Sequence, residues 1–287
     1  MTLLVVGKTG QLARALATRA RARGLPIDIT GRPELDLSTF SGALPGAPKA
    51  VLNAGAYTQV DRAEDDIDQA RLVNGSGVGA LARASAKADV FVHFSTDYVF
   101  GGDKSSPYVE SDPVAPINAY GASKLEGERA ALANNPRSVI LRTAWVYDAA
   151  GANFVRTMLR LAKARDEINV VADQHGCPTF SEDLAGAALT IAAQPRSFGV
   201  YHCVGGGETT WAGFAEEIFA LSRARGGPSA KVNRVTTTNF PTRAKRPANS
   251  RLNCSKLEID YGVRLRPWPE ALADCIDKIA QSGWSVE

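Results

Sequence analysis

Short, continuously apolar runs recur through the first half of the chain, and longer stretches of helical character separate them. Leu3–Val6, Pro26–Thr30, Ala50–Asn53, Val90–Ser95 and Ser138–Thr143 include runs too uniformly apolar for a sheet with one face in water. The pattern predicts strands of a parallel sheet buried on both faces. Gln11–Arg23, Asp66–Lys87 and Ala119–Ala133 read as the intervening helices. Strand–helix alternation of this kind predicts an α/β fold, a doubly wound parallel sheet of Rossmann type. Beyond about residue 150 the rhythm changes. Helices are expected over Asn153–Arg165, Ser181–Ala193, Thr210–Arg223 and Pro269–Gln281, separated by Gly- and Pro-rich connections without a low-complexity linker. The expected division is a sheet region over 1–150 and a smaller C-terminal region over 151–287, partly interleaved with it.

Composition adds exclusions. The chain has 287 residues, 45% hydrophobic and 22% charged, with a mean hydropathy of −0.13, which is ordinary for a globular protein. A net charge of +3 arises from scattered Lys and Arg, so no basic domain favours nucleic acid, while anionic small molecules remain suitable ligands. Met1-Thr2-Leu3-Leu4-Val5-Val6 has no basic leader, and no run of roughly 18 apolar residues occurs. A cytoplasmic protein without a membrane span is expected. Cys177, Cys203, Cys254 and Cys275 lie far apart with no Cys-x-x-Cys pair, which predicts reduced thiols and neither a disulfide framework nor a cysteine-rich zinc site.

The turn after the first apolar run reads Gly7-Lys8-Thr9-Gly10-Gln11-Leu12-Ala13, a G-x-x-G-x-x-A pattern between a strand and a helix. Small residues there let the backbone approach a pyrophosphate, whose charge meets amide N–H groups at the positive end of the helix dipole. With 26 glycines in the chain the spacing alone arises by chance. Its position points to a dinucleotide, against the alternative of a plain strand-to-helix turn. A NAD-specific site normally has an acid after the second strand, where this chain has Thr30-Gly31-Arg32. Arg32 suits a 2′-phosphate or is a solvated surface residue, so NADPH is favoured and NADH stays open. Asp36 and Leu37 fall where a loop reaches the adenine end. Ala54-Gly55-Ala56 closes the third strand with small residues suited to another backbone approach. The candidate cofactor residues are therefore Gly7, Thr9, Gly10, Gln11, Leu12, Arg32, Asp36, Leu37, Ala54, Gly55 and Ala56, joined by Tyr120 and Lys124.

Tyr120 and Lys124 stand four apart on a predicted helix, on one face. A phenol titrates near 10, and an adjacent ammonium is expected to bring it towards working range while also holding ribose hydroxyls. The spacing is common, but the order along the chain is not. Upstream, Ser95-Thr96-Asp97-Tyr98 ends an apolar strand, where a doubly wound sheet presents its reactive groups. Thr96 can hydrogen-bond a substrate carbonyl and Asp97 a hydroxyl; the alternative is a strand end that merely turns the chain. His175 and Cys177 lack two further clustered ligands, so no metal site is expected. Arg243, Lys245, Arg246 and Arg251 form a proline-broken basic stretch, suited to an anionic small molecule or to solvent.

Several stretches together resemble the dTDP-4-dehydrorhamnose reductases, extended short-chain dehydrogenase/reductases. They are Gly-Lys-Thr-Gly-Gln-Leu at 7–12, Asn-Ala-Gly-Ala-Tyr-Thr-Gln-Val-Asp at 53–61, Ser-Thr-Asp-Tyr-Val-Phe at 95–100 and Tyr-Gly-Ala-Ser-Lys at 120–124. The likeness continues through Arg-Thr-Ala-Trp-Val-Tyr at 142–147, Asp-Gln-His-Gly-Cys-Pro-Thr at 173–179 and Arg-Pro-Ala-Asn-Ser-Arg-Leu at 246–252. The resemblance implies hydride transfer from NADPH or NADH to C4 of dTDP-4-dehydro-β-L-rhamnose, giving dTDP-β-L-rhamnose. It makes Tyr120 the proton donor, Lys124 its assistant and Thr96 the group that polarises the ketone. Thr96, Asp97, Tyr98, Trp145, Asn153 and Arg246 become the substrate-binding candidates. Some members are dimers bridged by magnesium through glutamates, one of them on the first helix. This chain reads Ala13-Arg14-Ala15-Leu16 there and keeps Glu182, so no structural magnesium is expected, and monomer and homodimer both stay open. The alternatives are another nucleotide-sugar reductase or epimerase of this fold, and a non-catalytic NADP-binding regulatory subunit, which would not need Thr96, Tyr120 and Lys124 together.

Overall fold

In the computed structural model, which describes residues 2–286, the first half runs β1 (Leu3–Val6), α1 (Gln11–Ala22), β2 (Ile27–Thr30), β3 (Ala50–Asn53), α2 (Ile67–Arg71), α3 (Gly77–Ala84), β4 (Val90–Thr96), α4 (Ala119–Asn134) and β5 (Ser138–Thr143). The second half continues with β6 (Val146–Tyr147), α5 (Phe154–Ala162), β7 (Glu167–Val171), β8 (His175–Gly176), β9 (Thr179–Phe180), α6 (Ser181–Ala193) and β10 (Gly199–His202). It ends with β11 (Thr209–Thr210), α7 (Trp211–Ala224), β12 (Lys231–Val235), α8 (Ser255–Tyr261) and α9 (Trp268–Gln281).

The central sheet has the order β2-β1-β3-β4-β5-β10, and every neighbouring pair is parallel. Every residue of β1, β3, β4 and β5 is buried, which is why these strands read as unbroken apolar runs. The strand order reverses between β1 and β3. A crevice is expected beyond the carboxyl ends of the strands at such a switch point.

The expected helix over 66–87 is interrupted by a π-helical turn at Leu72–Ser76. Its cause is the buried Asn74, whose side chain pairs with both Tyr57 backbone groups and with Ser123 Oγ. Those bonds draw one residue out of the regular spacing. The chain beyond 150 also returns to the sheet. α6 packs Leu184, Ala188 and Leu189 against Ala13, Leu16 and Ala20 of α1 in one core, and β10 adds a sixth strand. A second core joins Val155, Leu159, Phe214, Ile218, Leu272 and Ile276 of α5, α7 and α9. This layer forms the far wall of the crevice.

Candidate active site

Thr96 is the last residue of β4 and caps the short turn Asp97–Val99, accepting from Tyr98 N at 3.2 Å. Its own hydroxyl donates to Asp97 Oδ1 at 3.0 Å. α4 begins at an Asn118 cap whose Oδ1 accepts from Gly121 N at 2.7 Å, while its Nδ2 donates to Lys245 O at 2.8 Å. Only glycine fits at 121, because a Cβ there would lie 2.1 Å from Tyr98 O. This approach of α4 to the end of β4 sets the Tyr120 phenol beside Thr96, with the Tyr120 ring edge-on to Tyr98 at 6.1 Å.

The phenol behaves differently from the expectation set by its spacing from Lys124. Burial, followed by the nearby Asp97 carboxylate, drives its pKa far above the usual range, with Thr96 opposing. Tyr120 is therefore held protonated, the form a proton donor needs. Lys124 is fully buried, and its Nζ donates to Phe94 O at 2.6 Å. Burial lowers its pKa to about 8, against the attraction of Glu128. Behind the pair, Arg142 of β5 makes bonds of 2.9 and 2.7 Å to the two Glu128 oxygens, and Ser95 Oγ donates to Oε1 at 2.6 Å. This buried ion pair fixes α4 to β4 and β5.

These groups open onto a cavity of about 520 Å³ whose walls include Thr9, Gly10, Gln11, Leu12, Ala54, Gly55, Ala56, Thr96, Asp97, Tyr98, Tyr120, Lys124 and Trp145. Most of the expected site thus converges on one cleft. Gly7 lies just behind it with φ +124°, and a Cβ there would come within 3.1 Å of the Ala54 carbonyl carbon. The glycine lets two strand ends approach each other where a phosphate backbone would lie.

Other expected residues stand apart. Arg32 is exposed past the end of β2, and Asp36 Oδ1 accepts from Ser38 N and Oγ at 2.9 and 2.8 Å. Leu37 is buried beneath Gly55. Asn153 caps α5, and its Nδ2 donates to Gln11 Oε1 at 3.1 Å and Asp148 O at 2.8 Å. It thereby holds Gln11 in the cleft wall. Arg246 pairs with both oxygens of Asp61, at 3.1 and 2.7 Å. It lines a neighbouring cavity of about 240 Å³ with Phe154, Met158, Trp211 and Phe240.

Two residues were not anticipated from the sequence. Trp211, the first residue of α7, stacks on Trp145 with centroids 3.5 Å apart and rings 10° from parallel, and it walls both cavities. Trp145 is held at φ +47°, an uncommon conformation for a bulky residue. Lys8 follows Gly7 and pairs with Glu34 across the end of β2. Glu182, the acid considered for magnesium, pairs with Lys278, and the neighbouring Asp183 pairs with Arg266 at 2.8 Å and Arg19 at 3.9 Å. Among the described residues no group of three metal-ligating side chains gathers.

Asp97 provides a measurable signature. Burial raises its pKa from 3.8 to about 6, against the hydroxyls of Ser250 and Thr96. Between those values the native protein holds a proton that the unfolded chain has lost, so stability falls as pH rises through the window and stays lower above it. That displacement corresponds to on the order of 3 kcal/mol. Asp97→Asn, which cannot ionise, is expected to be more stable than the wild type in urea at pH 7.5 by up to this amount. The difference should close towards pH 4.

Residues 1–281 match the family described as the RmlD substrate binding domain. A dTDP-4-dehydrorhamnose reductase of Sinorhizobium fredii is 47% identical over 282 residues, spanning 94% of this chain and 95% of that protein. The enzyme of the same name from Escherichia coli K12 is 41% identical over 285 residues, spanning 93% and 94%. Among solved structures, a dTDP-4-dehydrorhamnose reductase from Clostridium acetobutylicum superposes with a TM-score of 0.91 at 38% identity, covering 98% of this chain and 100% of that one. The Bacillus anthracis reductase in complex with NADP superposes with a TM-score of 0.89 at 32% identity, covering 96% and 99%.

Proposed function

The chain belongs to the RmlD substrate-binding-domain family of dTDP-4-dehydrorhamnose reductases, and from that premise we propose that it reduces the C4 ketone of dTDP-4-dehydro-β-L-rhamnose to dTDP-β-L-rhamnose in dTDP-rhamnose biosynthesis. It is an NAD(P)-dependent oxidoreductase. The observation that carries the reading is one cleft holding Tyr120 beside Thr96, a buried Lys124, and the tight glycine turn before α1.

The residues fit a nicotinamide dinucleotide. Gly7 and Gly10 with the amide end of α1 suit its pyrophosphate, Ala54-Gly55-Ala56 its path along the sheet, and Lys124 its ribose hydroxyls. When bound, the reduced nicotinamide supplies a hydride to C4. Thr96 turns its hydroxyl from Asp97 to the carbonyl oxygen, and Tyr120 releases its proton to that oxygen as charge develops on it. The stacked Trp145 and Trp211 close the cleft with apolar surface suited to the sugar's methyl and C–H face. Asp97 and Tyr98 hold sugar hydroxyls. The adjoining cavity, with Phe154, Phe240 and Arg246 in its wall, takes the nucleotide half. Asn153 supports this arrangement through Gln11.

NADPH is the favoured reductant. Arg32 and Lys8 flank the end of β2, where a 2′-phosphate sits in a site of this type. Arg32→Ala is expected to raise KM for NADPH by roughly tenfold or more, the loss of one charge-assisted hydrogen bond, and to leave KM for NADH unchanged. Equal effects on both would remove Arg32 from the site. The function itself is tested by adding dTDP-4-dehydro-L-rhamnose and following loss of NADPH absorbance, with the product identified by NMR. A folded, cofactor-binding protein that never consumes NADPH would point to the regulatory-subunit alternative.

A further inference from the structure

His93 lies at the middle of β4, fully buried behind the cleft, and the mechanism above makes no use of it. Its two ring nitrogens face different partners: Asn53 Nδ2 at 3.1 Å from Nδ1, and Lys124 Nζ at 3.4 Å from Nε2. The Asn53 amide is not free to turn, because its Oδ1 accepts from Gly55 N at 3.1 Å. Its NH₂ group is therefore aimed at His93, and Nδ1 must accept. A neutral imidazole that accepts at Nδ1 carries its proton on Nε2. That N–H points at the nitrogen of Lys124.

An ammonium has three donors and no lone pair, so a charged Lys124 gains nothing from an N–H donor aimed at it. A neutral amine has the lone pair to accept. We propose that His93 is a positioning residue for Lys124: locked by Asn53 in its Nε2–H tautomer, it favours the neutral amine and so makes the active-site lysine a ready proton donor. The surrounding charges are few. Glu128, one turn further along α4, favours the ammonium, but it is itself neutralised by Arg142 of β5. Asp97 and Tyr120 lie on the cleft side, and Glu126 is turned outward to Arg71. Burial displaces the Lys124 pKa in the same direction, and the proton affinity of His93 is low through burial and then Lys124. A lysine poised near working pH can exchange its proton during turnover, where one fixed near 10 would hold it.

The consequence for catalysis rests on the reductase reading, but the arrangement can be tested without any sugar substrate. The chain has only 3 histidines, so ¹⁵N-histidine NMR of the NADP-bound protein resolves their tautomers, and His93→Gln identifies the His93 signals by their loss. A neutral Nε2–H pattern from pH 6 to 9 is expected; an Nδ1–H tautomer or an imidazolium overturns the proposal. In His93→Gln the amide oxygen can accept from the ammonium. The Lys124 titration, followed by the ¹³Cε shift in lysine-labelled protein and assigned with Lys124→Arg, should then move upward by about one pH unit. A residue that merely fills the core would lower thermal stability and leave that midpoint in place, which would also overturn it. If His93→Gln does not fold, the wild-type tautomer still decides.

Discussion

Replacing Tyr120 by Phe is expected to lower the rate of NADPH oxidation by roughly 10²- to 10⁴-fold, the range lost with a general acid, while the protein keeps its fold and its affinity for the cofactor. The ring stays edge-on to Tyr98, and a single oxygen is removed from the wall of the cleft, so the packing change is small. What disappears is the proton that must reach the ketone oxygen as hydride arrives. Thr96 remains and can still donate one hydrogen bond to that oxygen, which accounts for residual turnover. Stopped-flow measurement under single-turnover conditions separates this loss from product release. A drop of less than tenfold would take the proton-donor role from Tyr120.

The second large effect is on stability. Glu128→Ala leaves the Arg142 guanidinium buried, with only 5% of its side chain exposed, and without its counter-charge. Removing one partner of a buried ion pair costs about 3–5 kcal/mol, because the other charge remains uncompensated. For a chain of this size that corresponds to a fall in Tm of about 5–8 °C. Ser95 loses its acceptor at the same time. Since Glu128 sits one turn from Lys124 on α4, turnover should fall as well, at a temperature where the variant remains folded. The double variant Glu128→Ala with Arg142→Met should recover much of the stability by removing the orphaned charge. Calorimetry on the three proteins distinguishes this account from simple loss of packing, which predicts that the double variant is the least stable.

The sheet was legible in the sequence because burial on both faces leaves no polar alternation. β1, β3 and β5 occupy the expected residues, and β4 extends one residue further to include Thr96. β7 and β12 pair at the surface with mixed burial, and the two-residue strands are too short to show a period. α8 buries only Leu257 and Tyr261 and leaves Ile259 exposed, so it has no apolar stripe to read. Of the candidate site, the residues picked out by local spacing, Thr96, Tyr120, Lys124 and the turn before α1, line one cleft. Trp211 was not legible, since nothing in its neighbourhood marks it as the partner of Trp145, 66 positions earlier. Gln11 and Asn153 meet across 142 positions, a contact only the fold creates. The direction of the Tyr120 pKa also lay outside the sequence, because spacing reveals the neighbouring lysine but not the burial that outweighs it.

In the proposed reaction, hydride passes to C4 of the sugar within this cleft. This transfer is tested most directly by running the reaction with NADPH deuterated at the transferring position of the nicotinamide and locating the label in the product by NMR. Deuterium at C4 of a newly formed dTDP-L-rhamnose is the predicted result. A product without the label at C4, or labelled at another carbon, would contradict the assignment and leave the cleft to a different nucleotide-sugar reaction.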